Sequence, residues 1–122
     1  SGDGAMIRLS IPRIPPSPNG PNGFLRSHWT KRRKDKEAWK WEIGVALMEK
    51  YSGLEPARTK VKVHVHQVRA RRLDRDNLWA SVKHIVDSIV LCGLARDDSE
   101  KWMDLSVSQE TGKDHRTEIT IE

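Results

Sequence analysis

The chain has 122 residues, of which 36% are hydrophobic and 32% charged, enough for one domain with a thin apolar supply. Lys and Arg number 22 against 17 Asp and Glu, a net charge of +5, which is too mild a basic balance to establish a nucleic-acid partner. The longest unbroken apolar runs, Val45–Met48 and Ile89–Cys92, hold four residues, far below the roughly 20 of a bilayer span, and the lone cysteine excludes an internal disulfide framework or a Cys-rich zinc site. No secretory signal pattern is visible, so the expected setting is a reducing, cytoplasmic one without membrane contact. Ser1–Ala5 reads as a foreign remnant ahead of a native start at Met6, with residues 6–122 forming the domain. A chain with so little core is expected to share apolar surface with another copy.

Met6–Ile11 alternates weakly and predicts a short strand. Pro12–Gly23 holds five of the six prolines and predicts a long loop. His28–Tyr51 reads as a helix. Ala38, Trp41, Val45 and Met48 form one apolar stripe, and Trp39, Ile43 and Leu47 form a second. A helix apolar on two sides has two things to pack against. Lys60–Val68 alternates, with Val61, Val63 and Val65 on one face and Lys62, His64 and His66 on the other. Asn77–Leu91 reads as the second helix, with Leu78, Val82, Ile85, Val86 and Ile89 as its apolar stripe and Gly93 as its stop. Met103–Gln109 and Arg116–Glu122 read as strands joined by a turn. The predicted class is α+β, a single small domain in the order β-α-β-α-β-β, with a mixed sheet and two helices.

The segment Arg69–Ser99 carries the chemistry. Asp74 and Asp76 stand one residue apart at a strand-to-helix junction. In extended backbone, residues i and i+2 point the same way, so their oxygens are expected to converge on one point, as a hard divalent cation such as magnesium requires. A second acidic pair, Asp97 and Asp98, follows the helix. With about 16 residues spanning roughly 24 Å, Asp98 reaches Asp76 only if the chain folds back. On a continuous helix Asp76, Lys83 and Asp87 lie within about 20° of one line. A lysine beside metal-ligating carboxylates suits phosphodiester cleavage, because the metal activates water and the cation stabilises charge built up in the transition state. Arg69, Arg71, Arg72 and Arg75 surround the acids and read as phosphate contacts.

Each of these residues has a plainer reading. D-x-D is common by chance, and Asp74 suits a helix N-cap. Lys83 and Asp87 suit a solvated i,i+4 pair. The basic run Lys31–Lys36 is more often a solvated helix face than a DNA contact. His64 and His66, with no third nitrogen or sulfur ligand nearby, read as exposed strand histidines. The five tryptophans read as core or interface, with base stacking open to one or two. Cys92 reads as a small buried hydrophobe.

Four motifs in order resemble the RusA-like Holliday junction resolvases, small endodeoxyribonucleases of bacteria and their phages. Pro15-Pro16-Ser17-Pro18-Asn19 resembles the family's P-P-S-x-N, and Arg72–Leu78 its R-x-D-x-D-N-L. Lys83–Ile89 resembles its K-x-x-x-D-x-L helix, and Gly93–Ser99 its G-x-x-x-D-D-S. The resemblance implies a symmetric homodimer that nicks four-way junctions in recombination and repair, with magnesium as cofactor and manganese able to substitute. It implies Asp74, Asp76 and Asp98 as essential acids and metal ligands and Lys83 as the catalytic lysine; Asp87 and Asp97 are further ligand candidates by their proximity in sequence. The expected DNA contacts are Arg69, Arg71, Arg72, Arg75, Lys31, Arg32, Arg33 and Asn19. Some family members place the lysine four residues after the second acid; here it follows by seven, as in others. The alternatives are a metal-dependent nuclease for other branched or phage DNA intermediates, and a non-catalytic junction-binding module.

Overall fold

A computed structural model describes residues 6–15, 29–51 and 54–122, with side chains from Arg33 onward in the first helix. The elements are β1 (Ile7–Ile11), α1 (Trp29–Lys50), β2 (Val61–Arg69), α2 (Arg75–Ser81), α3 (Lys83–Leu91), β3 (Met103–Thr111) and β4 (Arg116–Ile121). Counting α2 and α3 as one interrupted helix, this is the β-α-β-α-β-β order expected from the sequence.

The strands form one mixed sheet in the order β1-β4-β2-β3. β2 and β3 are parallel, joined by the α2–α3 crossover, and β4 runs antiparallel to both β1 and β2. Alternation sorts the side chains. Leu9, Ile11, Val61, Val63, Val65, Ile119 and Ile121 are buried on the helix side. The register places Lys62, His64 and His66 beside Asp104, Ser106 and Ser108 on the opposite face. That face has too little apolar surface to bury, and among the described residues the helices lie on the other side of the sheet.

The helix layer is α1 against α3, and each contributes a narrow stripe. From α1 come Trp39 and Ile43; from the α2–α3 run come Leu78, Val82, Ile85, Val86 and Ile89. The two α1 stripes have different fates. Trp39 is 1% exposed, with Arg13 stacked 5.2 Å from its ring centroid, whereas Trp41 is 73% and Met48 82% exposed.

The second helix is not continuous, as the apolar spacing alone suggested. Val82 leaves helical geometry at φ −90°, ψ 4° and separates α2 from α3. Ser81 explains the break. Its Oγ donates to the Leu78 carbonyl at 2.6 Å and accepts from Gln67 Nε2 at 3.0 Å, so a side chain competes with the backbone ladder. At the far end Gly93 does stop the helix. At φ +80° it lets its own N–H reach the Val90 carbonyl (3.0 Å) and the Leu94 N–H reach the Ile89 carbonyl (3.1 Å), the paired bonds of a Schellman cap. Leu94 and Ala95 then bury and anchor the loop that carries Asp97 and Asp98.

Candidate active site

The acids Asp74 and Asp76 sit beyond the carboxyl end of β2, where open parallel sheets place their ligands. Asp74 is the N-cap of α2. Its Oδ1 accepts from the Asn77 N–H at 2.9 Å, and its Oδ2 accepts from Asn77 Nδ2 at 3.0 Å. Asp76 already lies in the first helical turn, where the helix dipole favours a carboxylate. The extended i, i+2 geometry expected from the sequence therefore does not apply to the pair, because helical dihedrals begin at Arg75. Both acids nevertheless line one open hollow together with Arg75 and Asn77.

The junction is held from β3. Gln109 Oε1 accepts from the Leu73 N–H at 2.9 Å, and Gln109 Nε2 donates to the Leu73 carbonyl at 2.7 Å. This two-point clamp fixes the backbone immediately before Asp74. Nothing in the local sequence marks Gln109, because its partner is 36 residues away in the chain.

The arginines divide. Arg71, Arg72 and Arg75 are exposed around the junction. Arg69, expected to contact DNA, is instead buried, donating from Nη1 to the Pro15 carbonyl at 2.8 Å and to Gln67 Oε1 at 2.6 Å. Burial lowers its pKa from the ordinary guanidinium value. It stands on the helix side of β2 in phase with Val63 and Val65, which is why it faces inward and ties the N-terminal segment to the sheet. Arg33 is exposed and pairs with Glu37 at 3.4 Å. Asn19 and the side chains of Lys31 and Arg32 lie outside the described residues.

The remaining acids gather elsewhere. Asp97 and Asp98 line a second hollow with Asp87, Lys36, Val90 and Leu91, and this hollow shares no lining residue with the first. Within one chain, Asp74, Asp76 and Asp98 do not bring three oxygens within 4.8 Å of one another. Asp87 pairs across the helix layer with Lys36 at 3.8 Å rather than with Lys83. Lys83 is exposed at the first position of α3, and the Val82 break takes away the single helix line that would align it with Asp76. Beside it, His84 has its pKa lowered, first by burial; Asp87 and Asp35 oppose this, while Lys36 and Lys83 add to it. Trp102 carries Arg96 at 4.5 Å and Lys101 at 5.2 Å from its ring centroid, a basic–aromatic group whose residues bracket Asp97 and Asp98 in the chain.

A cross-strand group is likewise unmarked in the local sequence. Among the described residues, His66, Glu110 and Glu118 alone form a trio of nitrogen and carboxylate groups whose ligand atoms all lie within 4.8 Å of one another. His66 has no nitrogen or sulfur ligand near it in sequence, and the sheet register supplies carboxylates from two other strands.

No protein-family model matches the chain, and no curated protein matches it.

Proposed function

We propose that this protein is a magnesium-dependent, structure-specific DNA endonuclease of the RusA-like kind, which resolves four-way junctions by paired nicks as a homodimer. The observation that carries the reading is the open hollow lined by Asp74 and Asp76 with Arg75, flanked by the exposed Arg71 and Arg72. Carboxylates inside a basic rim suit a metal that must meet a phosphate: the arginines draw in the backbone, and the acids hold the cation. The donor set fits magnesium, since it is all oxygen and open to solvent. Magnesium supplies Lewis-acid polarisation of the phosphate and a more acidic bound water. Asp74 and Asp76 would hold and orient it, and Arg71 and Arg72 would position the strand; the resemblance, not the helix geometry, assigns Lys83 the role of stabilising developing negative charge.

The separation of the two hollows bears on assembly. Asp98 lies in the second hollow of its own chain; in the proposed dimer, Asp98 of the other copy supplies the third carboxylate of the site. The exposed stripe of Trp41 and Met48 on α1 offers the surface for that pairing, in a chain whose own core leaves it uncovered.

The test is cleavage of a labelled four-way junction, duplex and single strand with and without magnesium, comparing wild type with Asp74→Asn. Asparagine caps a helix about as well as aspartate, so the fold is retained while the ligand charge is lost. Magnesium-dependent junction cleavage that disappears in the variant, with binding retained, supports the reading. Junction binding without cleavage by the wild type instead favours the binding-module alternative, in which Asp74 serves only as the α2 cap. Mixing inactive Asp74→Asn with inactive Asp98→Asn should restore part of the activity, because one site of the mixed dimer is intact.

A further inference from the structure

We propose that the outer face of the sheet carries a separate site for a first-row divalent transition metal, zinc in the first instance, built from His66, Glu110 and Glu118. The three residues come from three strands. His66 on β2 faces Glu118 on β4, and Glu110 lies two residues beyond Ser108, the β3 partner of His66. One ligand atom from each lies within 4.8 Å of the other two. Ligands of one tetrahedral zinc ion, each about 2.0–2.2 Å from the metal, sit about 3.3–3.6 Å apart; His66 Nε2 and Glu110 Oε1 are already 3.0 Å apart, and side-chain rotation has at most about 1.5 Å to close to Glu118. One imidazole nitrogen with two carboxylate oxygens suits zinc, while magnesium favours an all-oxygen set. Arg116 Nε takes Glu118 Oε2 at 3.2 Å, leaving Oε1 for the ion. Three protein ligands leave the fourth position to water.

A second observation is the support behind His66. Its Nδ1 lies 2.6 Å from Ser108 Oγ and its Nε2 lies 3.0 Å from Glu110 Oε1. The same Ser108 Oγ lies 2.7 Å from His64 Nε2, and His64 Nδ1 lies 2.6 Å from Ser106 Oγ. Each hydroxyl has one proton, so with neutral rings this row runs in one of two directions. Without metal, His66 Nε2–H donates to Glu110, Ser108 donates to His66 Nδ1, His64 Nε2–H donates to Ser108, and Ser106 donates to His64 Nδ1. With metal, His66 Nε2 offers its lone pair to the ion. Its proton then sits on Nδ1 and is donated to Ser108, Ser108 donates to His64 Nε2, and His64 Nδ1–H donates to Ser106. One proton leaves at His66 Nε2 and one enters at Ser106 from solvent, so the row keeps its charge. Metal capture at His66 thus reverses the whole row and changes the tautomer of His64, which does not touch the metal. Such outer-shell hydrogen bonds fix ligand tautomers in metal sites.

The test is a zinc titration of the full chain against a competing chromophoric chelator, followed by imidazole nitrogen NMR. Wild type should bind one equivalent that depends on the trio. Glu118→Gln and, independently of the Arg116 pair, Glu110→Gln should each weaken it at least tenfold, and Ser108→Ala by about tenfold. Asp74→Asn should leave it unchanged, which separates this site from the proposed nuclease centre. At one equivalent, His64 should pass from the Nε2–H to the Nδ1–H form. Affinity within twofold of wild type in both glutamate variants, loss of the site in Asp74→Asn, or an unchanged His64 tautomer at saturation would each overturn the proposal.

Discussion

Gln109→Met removes the clamp on Leu73 while keeping the side chain's length. Two neutral hydrogen bonds are lost, at 2.9 and 2.7 Å, each contributing about 1 kcal/mol net. Leu73 and Gln109 are half-buried, so water reaches the freed N–H and carbonyl in part, and the loss stays near ~2 kcal/mol rather than the larger cost of fully buried orphans. With a urea slope of about 2 kcal/mol/M for a domain of this size, the unfolding midpoint should fall by ~1 M with the slope unchanged. Amide exchange at Leu73 should accelerate in the same variant. Because Leu73 directly precedes Asp74, the proposed junction cleavage should also slow in this variant, by about 10²-fold for a displacement of ~1 Å. A midpoint within ~0.2 M of wild type would show that the clamp contributes nothing, and with it the account of how Asp74 is positioned.

Lys83→Ala should slow the proposed junction cleavage under single-turnover conditions by about 10²-fold, or ~2.7 kcal/mol of barrier, with the proposed junction binding little changed; a normal rate would remove Lys83 from the proposed reaction. Trp41→Glu should dissociate the proposed dimer, measured by light scattering, with the fold intact. Trp39→Glu should instead unfold the domain, because Trp39 is buried between α1 and the sheet and an unpaired buried charge is costly. Burial lowers the pKa of His84 in the folded state, so as the pH falls below the ordinary histidine value of 6.5 the unfolded chain binds more protons. Stability should therefore be complete above that pH and fall as the pH drops below it toward the depressed folded pKa. His84→Gln should flatten this part of the thermal-denaturation profile, and an unchanged slope would show that His84 is not its source.

Local patterns determined much of this protein. The 2-residue period located β2 and β4 and told their buried faces from their polar ones, since alternation is a property of one strand. The two stripes of α1 and the stop at Gly93 were legible for the same reason: helical spacing and a left-handed glycine are settled within a few residues. Asp74 and Asp76 were placed at the start of a helix by chain order alone. What the sequence could not decide depends on which strand lies beside which, and in what register. The pairing β1-β4-β2-β3 brings Glu118 and Glu110 to His66 from more than 40 residues away. It also sets Gln109 against Leu73 and turns Arg69 inward to Pro15. The Val82 break follows from Ser81 meeting Gln67 on β2, a contact invisible to a helix wheel. The position of Asp98 was likewise tertiary: the buried Leu94 and Ala95 fix where its loop leaves the core, and so set it beside Asp87 rather than beside Asp74.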